Sequence, residues 1–158
     1  MLEHMPYKYY ILCSIPESFL IITLGLIFLG LQKKWSIILI TAFIQSTLLF
    51  VLMNIFNFNI NVLISYLTLV ICTCLINKIN YKSCFVALSF AISIALLIKG
   101  TTALAFVKIT DLSFVEVFSS YWLRFFMLLP YFIGLMLIVI VVRKYNFTIG
   151  PELQKAIK

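Results

Sequence analysis

Five apolar stretches of membrane-spanning length follow one another along this chain, and its lysines and arginines collect in alternate connections between them. The stretches cover about residues 9–31, 37–56, 60–76, 83–107 and 121–142. At ~1.5 Å per helical residue, roughly 20 residues match a ~30 Å hydrocarbon core. The expectation is an all-α, polytopic transmembrane helix bundle of five spans in a cell membrane. Lys33 and Lys34 lie between the first two stretches, Lys78 and Lys82 between the third and fourth, and Arg143, Lys144, Lys155 and Lys158 after the fifth. The connection 57–61 is uncharged, and in the next one Lys108 is offset by Asp111 and Glu116. Cytoplasmic loops favour basic residues, so the amino terminus is expected outside and the carboxyl terminus in the cytoplasm, with Lys8 alone dissenting.

Composition narrows the class further. Hydrophobic residues make up 64% and charged residues 11% of the chain, against ~25% charged in soluble domains. In 158 residues, five spans leave no stretch for an extramembrane domain of ~50 residues. Residues 5–145 therefore read as a single transmembrane helical domain and 146–158 as a short cytoplasmic tail. The net charge of +7 is spread over separate loops, which argues against nucleic acid as a partner and for basic loops beside anionic lipid. Residues 1–4 read as a cloning scar, since Leu2-Glu3 and His4-Met5 match common cloning sites and Met5 makes a natural start. That sets aside His4, the only histidine.

Local signals add detail. Cys13, Cys72, Cys74 and Cys84 fall in or beside apolar stretches, and Cys72-Thr73-Cys74 lacks zinc or redox spacing, so the cysteines read as packing residues. Trp35 is placed as an interfacial anchor, and Gln45, Ser46 and Thr47 as helix–helix hydrogen bonders. Ser113 and Glu116 have the spacing of a capping box, which predicts a brief interfacial helix before the last span unless the two merge into one long helix. Leu112, Val115 and Phe118 would form its apolar face. Pro16 and Pro130 are expected to kink their helices, and Lys99-Gly100-Thr101-Thr102, without a glycine-rich lead, reads as a helix disruption rather than a phosphate loop.

The residues able to carry chemistry are the charges that interrupt the apolar pattern: Glu17, Lys99 and Arg124. A charge at mid-helix costs ~2.5 to 3.5 kcal/mol on insertion scales, so such groups pair or face a wet cavity. Counting from the span ends, Glu17 and Lys99 both fall ~12 Å below the outer surface, and Arg124 between ~4 and ~16 Å depending on where its helix starts. Matched depth predicts an ionic cluster in the outer half, in which the surplus cation receives a small anionic ligand such as a carboxylate. The competing reading is an architectural salt bridge, with Arg124 snorkelling to the headgroups. No nucleotide-binding, nucleophile-elbow or zinc-protease motif occurs, and no span holds a carboxylate pair. Neither enzymatic activity nor a cofactor or metal is expected.

Cys13-Ser14-Ile15-Pro16-Glu17-Ser18-Phe19, leading to Leu24-Gly25-Leu26 and Gln32-Lys33-Lys34, together with Trp122-Leu123-Arg124-Phe125, Leu129-Pro130-Tyr131 and Arg143-Lys144-Tyr145, resemble the membrane-embedded amino-terminal region of GHKL-type sensor histidine kinases of low-GC Gram-positive bacteria. The resemblance implies a sensor whose last helix passes a signal inward to a cytoplasmic kinase. No phosphoacceptor histidine or ATP-binding domain follows, so the chain reads as a sensor segment cut from a kinase or as a stand-alone relative. A small substrate-binding subunit of a transporter and a non-catalytic accessory membrane protein remain as alternatives. A porphyrin-binding translocator relative would need more tryptophan than Trp35 and Trp122 supply.

Overall fold

The computed structural model describes residues 7–56 and 62–148. They form six helices: α1 (Tyr7–Phe28), α2 (Trp35–Phe56), α3 (Val62–Asn77), α4 (Tyr81–Thr110), α5 (Phe114–Ser119) and α6 (Tyr121–Lys144). The segments Trp35–Leu52, Tyr81–Thr110 and Trp122–Lys144 are long and apolar enough to cross a membrane, whereas Cys13–Phe28 and Leu63–Asn77 are apolar but shorter. The reading of residues 1–4, the asparagine-rich turn 57–61 and most of the tail lie outside the described residues.

The hub of the bundle is α1, which packs against α2, α4 and α6, while α3 closes on α2 and α4. All six residues from Ile21 to Leu26 are buried, the pattern of a helix covered on every side. Small residues make that crowding feasible. The buried stripe of α4 is Cys84, Ala87, Leu88, Ala91 and Ala95, so the two backbones approach closely. Gly25 marks the tightest point, where a Cβ would sit 2.6 Å from Leu88 Cδ2. Gly134 of α6 plays the same part against Ile98 of α4, at 3.1 Å.

Three helices that end at one pole stop in the same way. At the ends of α1 and α6 the amides of Leu31 and Phe147 reach back to Leu26 and Val142, and those of Gly30 and Asn146 to Ile27 and Arg143. This is the Schellman pattern, which requires a left-handed residue, and φ is +71° at Gly30 and +49° at Asn146. At the end of α3 the Ile79 amide bonds to Cys74 O, and Lys78 takes φ +53°. The Lys33 ammonium donates to Asn77 O at 3.4 Å, and Phe28 meets Phe147 edge to face at 6.2 Å. The basic links thus gather at the pole where α1, α3 and α6 end and α2 and α4 begin.

Several local expectations change. No disruption occurs at Lys99-Gly100-Thr101-Thr102: α4 runs unbroken, and Thr101 and Thr102 donate to the carbonyls of Leu97 and Ile98. Pro16 and Pro130 lie inside α1 and α6, which stay helical on both sides of them, as a kinked helix also does. Gln45 and Ser46 are buried and bonded to α1, but Thr47 faces outward and donates to Phe43 O of its own helix. The capping box forms, with the Glu116 amide donating to Ser113 Oγ and the Ser113 amide to Glu116 Oε2, and extended backbone at Ser120 (φ −106°, ψ 126°) separates α5 from α6. Among the described side chains of α5, Val117 is buried and Val115 is 79% exposed; the side chain of Phe118 lies outside the described residues.

Candidate functional site

Glu17, Lys99 and Tyr131 meet where α1, α4 and α6 converge. The Lys99 ammonium donates to Glu17 Oε1 at 2.9 Å, and the Tyr131 hydroxyl donates to the same oxygen at 3.0 Å. Lys99 Nζ also stands 5.4 Å from the centroid of the Tyr131 ring, within range of cation–π attraction. Tyr131 is fully buried, while the side chains of Lys99 and Glu17 retain 40% and 25% exposure. A charge-neutral pair with an extra hydroxyl donor lowers the cost of holding these groups among apolar helices.

Helix register explains the meeting. Glu17 lies ~15 Å along α1 from Tyr7, Tyr131 ~15 Å along α6 from Tyr121, and Lys99 ~16 Å back along α4 from Thr110. α1 begins and α4 ends a few residues beyond the apolar runs, and α6 begins at Tyr121 as its run does, so the three side chains lie at nearly the same distance from those helix ends.

On an adjacent face of α1, Ser14 and Ser18 turn to α2. Ser18 Oγ donates to Gln45 Oε1 at 2.5 Å, and Ser14 Oγ donates to Ser46 Oγ at 3.3 Å. One level of the bundle therefore carries polar groups from α1, α2, α4 and α6. Elsewhere the hub is lined by residues such as Ile22, Leu24, Leu88 and Leu135.

Glu17 takes Lys99 as its ion-pair partner. Arg124 stands about two turns from Tyr131 on the same stripe of α6, ~10 Å nearer its start, partly buried, with its amide bonded to Ser120 O. Tyr131 is the member that charge-based reading missed. Its signal was a tyrosine inside an apolar span, where a buried hydroxyl needs a partner. Among the described residues, no three His, Cys, Asp or Glu side chains group as a metal site.

Comparison with protein-family models, curated proteins and solved structures returned no match. The likeness to sensor kinases therefore rests on the sequence segments themselves.

Proposed function

We propose that this chain is a five-span membrane sensor or signalling module, with its amino terminus outside and its carboxyl terminus in the cytoplasm. It reads a small anionic ligand, or the state of the bilayer, at Glu17, Lys99 and Tyr131, and α6 passes the change to a cytoplasmic partner such as a kinase. The observation that carries this reading is that one oxygen, Glu17 Oε1, ties α4 and α6 to α1. A ligand carboxylate that competes for Lys99 would loosen Glu17 and, with it, the hold on Tyr131 in the helix leading to the carboxyl terminus. Arg124, on the same stripe of α6, adds a cation on the approach from the outer end.

The gathering of Lys33, Lys78, Lys82 and Arg143 near one pole supports the orientation. The shorter apolar segments Cys13–Phe28 and Leu63–Asn77 cross in this reading because each packs alongside longer spans, and flanking residues complete their length. The resemblance to sensor-kinase membrane regions supports a signalling role over a purely architectural one.

Two measurements test the proposal. In a cysteine-depleted background, a single cysteine at Asp111 should label from outside intact cells and one at Arg143 only after permeabilisation; the reverse overturns the orientation. Neighbouring genes should encode a GHKL-type kinase catalytic domain, fused or separate. An ATPase and transporter genes in their place would instead make this a transporter subunit.

A further inference from the structure

A cavity of about 150 Å³ opens at the basic pole, at the far end of α1 from Glu17. Bulk water occupies ~30 Å³ per molecule, so this space holds a polar group and some solvent. Thr23, Gln32, Lys33, Trp35, Arg143 and Asn146 are among the residues lining it. The turn at Gly30 and the chain after α6 shape its rim, where Thr148 Cγ2 comes within 3.5 Å of a Cβ position on Gly30.

Its chemistry is one-sided. Lys33 and Arg143 bring two positive charges to one cavity, and of the acids among the described residues, Glu17, Asp111 and Glu116, none lines it. Lys33 meets the neutral carbonyl of Asn77 at 3.4 Å, and the Arg143 guanidinium lies 5.6 Å from the Trp35 ring centroid. An ammonium has three donors and a guanidinium five, so these contacts leave donors over at both residues. Trp35 in turn meets Phe19, centroid to centroid at 5.6 Å, which holds the cavity wall in place. Gln32, Asn146 and Thr23 supply neutral hydrogen-bonding groups around the cations.

Position selects among anions. The cavity lies at the amino end of α2 and the carboxyl end of α6, two of the helices long enough to cross a bilayer, and so at headgroup depth. Arginine's planar fork suits phosphate oxygens, with lysine as a point charge beside it. Basic pockets between helices on the cytoplasmic side are where anionic headgroups bind.

We propose that this cavity binds a phosphate group between Lys33 and Arg143, supplied by the phosphodiester of an anionic lipid or by free phosphate. The site is independent of the Glu17 group and shares with the proposed function only the reading that α2 and α6 cross the bilayer.

Trp35 serves as the reporter once Trp122, 74% exposed, is replaced by Trp122→Phe. The full chain is reconstituted in phosphatidylcholine nanodiscs, and Trp35 emission is followed as phosphatidylglycerol or inorganic phosphate is added. A saturable shift with phosphatidylglycerol alone identifies a lipid headgroup site, and a shift with inorganic phosphate a free-anion site. In Lys33→Gln/Arg143→Gln the midpoint should move at least tenfold, with helicity by circular dichroism checked first. Lys34→Gln/Lys144→Gln removes the same charge from the same pole outside the cavity, and should move it less than twofold. The proposal is overturned if neither addition shifts the emission, or if the two double variants respond alike, since the cations would then act only as general surface charge.

Discussion

The hydroxyl of Tyr131 donates to Glu17 across the α1–α6 contact, on the same carboxylate oxygen that holds Lys99. A single acceptor thus couples three helices, and its removal should be felt by both donors.

Glu17→Ala and Lys99→Ala are each expected to destabilise the protein, and the double variant to lose less than their sum, with a coupling of about 0.5–3 kcal/mol. Tyr131→Phe removes one hydrogen bond without a cavity and should cost about 0.5–1.5 kcal/mol. Unfolding titrations in mixed micelles give all four values. Strict additivity of the first pair would dissolve the ion pair as an energetic unit.

Two glycines should respond oppositely to added side chains. Gly25 abuts Leu88, so Gly25→Leu is expected to overpack the α1–α4 contact and cost about 1–3 kcal/mol. Gly100 has nothing within 4 Å of its Cβ position, so Gly100→Ala should stabilise α4 by about 0.5–1 kcal/mol. Thermal unfolding of the two variants decides the matter; equal effects would contradict the packing described.

Left-handed helix ends make a further contrast. Lys78 holds φ +53° with a side chain, at a cost of about 1–2 kcal/mol that glycine avoids. Lys78→Gly should raise stability and Gly30→Ala, at φ +71°, should lower it. A loss of stability in Lys78→Gly would mean that the lysine side chain contributes more than its backbone costs.

The capping box of α5 should be pH-sensitive. Hydrogen bonds from the Ser113 side chain and backbone hold the Glu116 carboxyl below its ordinary range. Its folded pKa is thus lower than its unfolded one, so the stabilisation is present above the usual carboxylate range and disappears as pH falls through the folded value. Hydrogen-exchange protection of the Glu116 and Val117 amides, corrected for intrinsic rates, should fall below about pH 4. Glu116→Ala should show low protection at every pH.

Pairing of Glu17 with Lys99 was legible because charges in apolar spans are few and their depth follows from counting residues. Arg124 satisfied the same count less well, since its depth hung on where the last helix starts; extended backbone at Ser120 ends α5 and puts Arg124 in the first turn of α6. Tyr131 carries no charge, and so escaped a search for charges. Thr47 was misassigned because neighbouring positions on a helix alternate between the bundle and its surroundings, and polar residues occupy both.

The sequence by itself determined the class of this protein, the location of its helices to within a few residues, and the grouping of basic links. These follow from hydropathy and from the cost of charge in hydrocarbon, which are properties of single residues and their spacing. Only the tertiary structure decided that α1 is the hub, that Tyr131 joins Glu17, and that Lys33 and Arg143 share a cavity. Helices apolar on every side carry no stripe to say which face turns inward. That choice is made by close approach at small residues and by hydrogen bonds between helices, which exist only once the partners are in place.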